Sequence, residues 1–183
     1  MTSAVKGTSR QTQSIPTEMA NERDHLRQLA RSINDINRRT TLRGAMLRKS
    51  ADQTTANYTT AAAIAFNEEA YDFGAWHVTS GNTTRLTVPG DVSYVRVGGT
   101  VFIDSSTADT WKQLDIRLNG AADYDGFVSS IFESGMTSGA TTILSGPIAV
   151  IAGDYFELFL TEESDTSITI RHEYTHFWIE AVG

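Results

Sequence analysis

The segment His172-Glu173-Tyr174-Thr175-His176 has the residue types and spacing of a zinc-protease motif, H-E-x-x-H. On a helix, imidazoles at i and i+4 lie on one face, roughly 5–6 Å apart at Cβ, and can share one metal ion. Here the flanking residues are Ile168-Thr169-Ile170 and Phe177-Trp178-Ile179, β-branched and aromatic. In an extended chain the two histidines stand about 13 Å apart and cannot hold one zinc. Glu180 is the only third ligand in reach after His176, again at strand spacing. The expectation is therefore a strand, not a catalytic helix, with no metal and no catalytic residue. The apolar phase shifts from even (Ile168, Ile170) to odd (Phe177, Ile179), which predicts a turn or bulge near Arg171–Tyr174.

Other constellations carry less chemistry. Asp123-Tyr124-Asp125-Gly126 places two carboxylates beside a glycine but lacks the spacing of a calcium loop. Glu68-Glu69 and Glu162-Glu163 are paired carboxylates, yet nothing sets them across a cleft as a glycosidase requires. Trp76, Trp111 and Trp178 could stack on sugars if exposed and are otherwise core or interface residues. There is no cysteine, which excludes disulfides, thiol nucleophiles and thiolate metal sites. No G-x-S-x-G and no phosphate-cradling glycine loop is present. We expect no enzyme and no cofactor.

The elements around these residues divide the chain in three. Residues 1–16 are polar and read as an extended or disordered arm. Residues 17–60 read as a helical anchor, running from Thr17 to about Lys49, followed by a linker rich in Ser, Thr, Ala, Asn and Gln. Leu26, Leu29, Ile33 and Ile36 recur at steps of three and four, a short coiled-coil seam. Extended forward the seam meets Thr40, Arg43 and Leu47 and weakens. The longest apolar runs, such as Ala61–Phe66, are too short to span a bilayer, so no membrane insertion is expected.

Residues 61–183 carry an all-β pattern. Strand-like runs are Ala62–Phe66, Trp76–Thr79, Thr84–Val88, Ser93–Ile103, Leu114–Leu118, Val128–Phe132, Thr141–Leu144, Ile148–Ile151, Tyr155–Leu160, Ser167–Arg171 and Thr175–Ala181. Turn signals such as Asn119-Gly120 and Gly153-Asp154 separate them. Many short strands with frequent turns predict a sandwich or jelly roll. In Tyr155–Leu160, Phe156, Leu158 and Leu160 fall on one face, and Tyr155, Glu157 and Phe159 on the other. Two aromatics on the second face predict a subunit contact through Tyr155 and Phe159.

Charge is divided as sharply as pattern. Residues 1–50 sum to +6 and residues 51–183 to −13, within a net charge of −7. Arg23, Arg27, Arg31, Arg38, Arg39, Arg43 and Arg48 suggest either an anionic partner or a solvated face around a coiled coil. Nucleic acid is not the partner expected, because no aromatic is interleaved for base stacking.

The β region resembles the C1q/TNF-like jelly roll over about residues 61–183. The resemblance is carried by Ala61–Phe66, by Tyr71-Asp72-Phe73-Gly74-Ala75-Trp76-His77, and by Thr84–Gly90 followed by Ser93–Val97. Leu114–Gly120, Ile148–Leu160 and Thr175–Glu180 complete it. Asp91-Val92 is inserted before the family's turn tyrosine, and a helical segment stands where that family has a collagen-like stalk. The resemblance implies a homotrimeric binding head. A cysteine-free head behind a basic arm is similar in layout to bacteriophage fibres, spikes and head appendages. That layout implies a virion protein held to other virion proteins through residues 1–50, with the head exposed toward a host-surface glycan or protein. A non-viral C1q-like binding module and a capsid decoration protein without a receptor are the alternatives.

Overall fold

The computed structural model describes residues 24–33, 42–55, 61–105, 111–121, 129–132, 138–162 and 168–183. The chain forms two units, Met1–Thr41 and Leu42–Gly183. In the first, residues 24–33 form a helix, α1, on which Leu26, Leu29 and Ile33 are all solvent-exposed within one chain. Ile36 and residues 1–16 lie outside the described residues.

The second unit is a sandwich of two antiparallel sheets. Sheet A has the order β10-β6-β12-β1-β4, with β2 pairing β12 and β9 pairing β6. Its strands are β1 (Gly44–Arg48), β2 (Gln53–Thr55), β4 (Glu68–Phe73), β6 (Tyr94–Ser105), β9 (Ser138–Leu144), β10 (Ile148–Ala149) and β12 (Ile168–Ala181). Sheet B has the order β3-β11-β7-β8, with β5 pairing β11. It holds β3 (Ala62–Ala63), β5 (Arg85–Thr87), β7 (Lys112–Leu118), β8 (Ser129–Phe132) and β11 (Tyr155–Glu162).

Period-two alternation sends one face of each long strand into the core. Val95, Val97, Val101 and Ile103 of β6 meet Leu114 and Ile116 of β7 and Phe156, Leu158 and Leu160 of β11 in one buried cluster. Phe66 stacks on Phe177 at 5.8 Å between ring centroids. The Asn119-Gly120 turn and the Gly153-Asp154 turn are tied together. Asn119 takes left-handed backbone (φ 54°), donates from Nδ2 to Asp154 Oδ1 at 2.9 Å and accepts from the Tyr155 amide at 3.0 Å.

Three expectations change. The helix expected to reach Lys49 does not, because residues 44–48 are β1, paired with β12 on one side and β4 on the other. Ala45 and Leu47 point into the core while Met46 and Arg48 point out, a strand alternation that four residues could not announce against the helical spacing upstream. The compact β unit therefore begins at Leu42, not at residue 61, and the expected linker contains β2. The run Trp76–Thr79 is not a strand. Asp72 accepts the amides of Trp76 and His77 at 3.0 and 3.1 Å and folds the chain back, burying the Trp76 indole.

The phase shift near Arg171–Tyr174 is a bulge. Arg171 pairs with Phe102 and His176 with Thr100, so β12 spends five steps where β6 spends two. Thr175 turns its hydroxyl inward there and accepts the Phe102 amide at 3.2 Å, satisfying a donor that the ladder leaves free.

Candidate functional site

The outward face of sheet A carries a row that crosses five strands. Leu144 of β9 stands opposite Gly98 of β6, Gly98 opposite Trp178 of β12, Trp178 opposite Met46 of β1, and Met46 opposite Tyr71 of β4. Gly98 is a notch for the indole, since a Cβ there would run into the Trp178 ring. Above and below the row lie Tyr71 stacked on Phe73 and Phe102 against Tyr174, each pair 5.4 Å apart. Phe73, Tyr94, Leu144 and Tyr174 are each more than half exposed. An apolar, aromatic sheet face of this extent, turned to water, marks an interaction surface.

The outward face of sheet B is built differently. Tyr155 and Phe159 do share it, as the alternation predicts, but each ring already carries an arginine from its own chain. Arg85 lies 3.9 Å from the Tyr155 centroid and Arg117 4.1 Å from the Phe159 centroid. Glu157 between them is buried and accepts from Thr84 Oγ1 at 2.5 Å and from Arg85 Nε at 3.2 Å. These partners lie seventy residues upstream, which is why the strand alone gave Glu157 no role. Cation–π stacking of this kind contributes about 0.5–1 kcal/mol per pair at partly exposed sites and shields the rings.

The H-E-x-x-H segment lies on β12 with the bulge inside it. His172 donates from Nδ1 to Asp52 Oδ1 at 2.7 Å, and its amide donates to the same oxygen at 2.9 Å. Arg171 bridges Asp52 and Asp104. The two His172 bonds, and then Arg171, hold the Asp52 carboxyl below the usual carboxylate range. Four residues away, His176 has its pKa lowered, first by burial and then by the Arg48 charge opposite it. Glu180 pairs with Arg96 at 3.8 Å instead of joining the histidines. Among the described residues, no group of three His, Cys, Asp or Glu converges to hold a metal ion.

The remaining sequence candidates are dispersed. Asp123–Gly126 and Glu163 lie outside the described residues. Glu69 accepts from the buried His77 at 2.9 Å. Trp76 is core and Trp178 belongs to the row.

One buried cation was not foreseen. Lys49 follows β1, packs 5.9 Å from the Phe66 centroid and donates to Gln53 Oε1 and Ala65 O, each at 2.7 Å. Burial pulls its pKa down from 10.5 to about 8, with the Asp52 charge opposing in part. The unfolded chain keeps this proton up to its ordinary value, whereas the folded chain releases it near pH 8. Across that window the unfolded state binds more protons, so stability rises with pH. We expect the thermal midpoint of Lys49→Met, relative to wild type, to fall behind as pH increases from about 8 to about 10. A constant difference over that range would show that Lys49 does not titrate as described.

Neither a protein-family model nor a curated protein sequence matches the chain. Solved structures do. The globular domain of zebrafish complement 1qA superposes with a TM-score of 0.55 at 10% identity, covering 78% of this chain and 98% of that one. Murine APRIL at pH 8.0 gives 0.55 at 10% identity, over 78% of this chain and 100% of that one. Eiger TNF from S. frugiperda gives 0.53 at 13% identity, over 78% and 93%. The fold is a C1q/TNF-like jelly roll. At these identities the likeness is one of fold, and the jelly-roll expectation from the sequence stands in that form.

Proposed function

We propose that this C1q/TNF-like jelly roll is a non-enzymatic binding head that works as a homotrimer, its protomers meeting through the outward face of sheet A. The observation that carries the reading is the row Leu144, Gly98, Trp178, Met46 and Tyr71, an apolar stripe across five strands with Phe73 and Leu144 left half or more exposed. The exposed Leu26, Leu29 and Ile33 on α1 form a second stripe that a trimer would cover. Tyr155 and Phe159, expected from the sequence to meet a neighbouring subunit, are the competing surface. Their arginine caps favour sheet A.

Sedimentation at about ten micromolar, a concentration at which any contact of working strength is populated, is expected to give a trimer. A monomer there overturns the reading. A trimer broken by Phe159→Ser and untouched by changes on sheet A would move the contact to sheet B.

The virion setting is the finer part of the proposal. Its support is layout alone: a segment of +6 ahead of a body of −13, and a seam ahead of a head. Purified virions or cell fractions probed for the chain test it, and absence from particles removes the fibre, spike and decoration readings while leaving the trimeric head intact.

A further inference from the structure

Beside the middle of the apolar row, one outward position along the strands, β1 and β12 turn polar. Arg48 and His176 stand opposite each other in the β1–β12 ladder, one outward position beyond Met46 and Trp178. They border an open cleft of about 410 Å³, also lined by Lys49, Glu68, His172 and Glu173. The bulge makes this cleft, because residues 172–175 leave the ladder between the Arg171 and His176 pairings.

Two of the lining groups are committed. Lys49 donates to Gln53 and Ala65, and His172 Nδ1 donates to Asp52. Arg48 makes no hydrogen bond or ion pair among the described residues, although Glu68 is its neighbour in the β1–β4 ladder. The Arg48 guanidinium fork, with no hydrogen-bond or ion-pair partner among the described residues, therefore borders a cleft that also presents two imidazoles and two carboxylates. We propose that the cleft binds a small polyhydroxylated carboxylate, the chemistry of an acidic sugar.

Three arguments select that class. The planar fork of Arg48 matches a carboxylate in bidentate fashion. Glu68 and Glu173 accept hydrogen bonds from hydroxyl groups and repel a doubly charged phosphate. The volume lies in the small-ligand range of about 300–1,000 Å³. The groups facing His176 are Arg48 on β1, Glu68 on β4, Thr100 on β6, Lys49 beyond β1, and His172 and Glu173 on its own strand. A bound carboxylate offsets the Arg48 charge, so His176 takes up a proton on binding, and affinity rises as pH falls toward 6.

The proposal uses residues of one protomer; because the cleft flanks the proposed contact on the same face of sheet A, the titration is run on Leu144→Asp as well as on wild type. The full chain would be titrated by calorimetry, with N-acetylneuraminate and glucuronate as probes and with glucose and inorganic phosphate as controls, at about pH 6 and about pH 8. Both sugar acids are expected to bind, more tightly at the lower pH, while His176 ring signals shift in NMR. Arg48→Gln is expected to lose at least about tenfold in affinity, and Arg96→Gln, outside the cleft, is expected to keep it. Tighter retention on an immobilised glycan capped with the same sugar points to a surface glycan as the source, and equal affinity to a free sugar acid. Absence of binding, equal binding of glucose, or an unchanged Arg48→Gln overturns the proposal whether or not the protein is a trimer.

Discussion

Leu144→Asp is expected to turn the proposed trimer into folded monomers. Leu144 is 55% exposed in the single chain, so an aspartate there meets water and leaves the protomer's core untouched. In the proposed assembly the same position is covered. An unpaired buried charge costs about 3–5 kcal/mol, and a threefold assembly contains three copies. That is enough to shift association by a factor of hundreds or more. Trp178→Arg should act in the same direction, since large aromatics at the centre of an interface cost about 2 kcal/mol or more when removed. It also empties the Gly98 notch, so part of its effect falls on the protomer itself. Sedimentation separates the two effects when run beside near-ultraviolet circular dichroism. A Leu144→Asp protein that still sediments as a trimer would exclude sheet A as the contact.

What could be read from the sequence followed from how local each signal was. The core face of β11 was legible because Phe156, Leu158 and Leu160 alternate within one strand, and β6 and β7 were legible as strand-like runs. The bulge in β12 was legible because the apolar phase changes on either side of it. β1 was misread because Leu47 fits two patterns at once. It lies at heptad distance from Ile33 by way of Thr40, and it also alternates with Ala45. The pairing with β12 decides between them, and that partner lies more than a hundred residues away. β4 was missed because Glu68-Glu69 and Asp72 look like a loop, while its outward residues at the edge of sheet A can remain in water. The cleft had half a signal. The H-E-x-x-H spacing picked out His172 and His176 for the wrong chemistry, and Arg48 joins them only through strand register.

Gly99 and Leu158 are expected to be strongly coupled, because the Leu158 side chain of sheet B reaches across the core to the position a Cβ would take at Gly99 of sheet A. Gly99 sits beside the Gly98 notch but on the opposite face of β6. A Cβ built at Gly99 would lie 2.9 Å from Leu158 Cδ2 and 3.3 Å from the His176 carbonyl oxygen. The leucine tip could rotate away, but the carbonyl belongs to the β12 ladder and cannot. Gly99→Ala should therefore cost about 1–3 kcal/mol as overpacking. Leu158→Ala, at a fully buried site, should cost about 2–5 kcal/mol as a cavity. In the double variant the new methyl group faces space that the leucine has vacated. The two costs should then fall short of additivity by about 1 kcal/mol or more, measured by denaturant unfolding of all four proteins. Strict additivity would mean that the His176 carbonyl, not Leu158, sets the limit at Gly99. The requirement for glycine would then come from the β6–β12 ladder alone, and not from the packing of one sheet on the other.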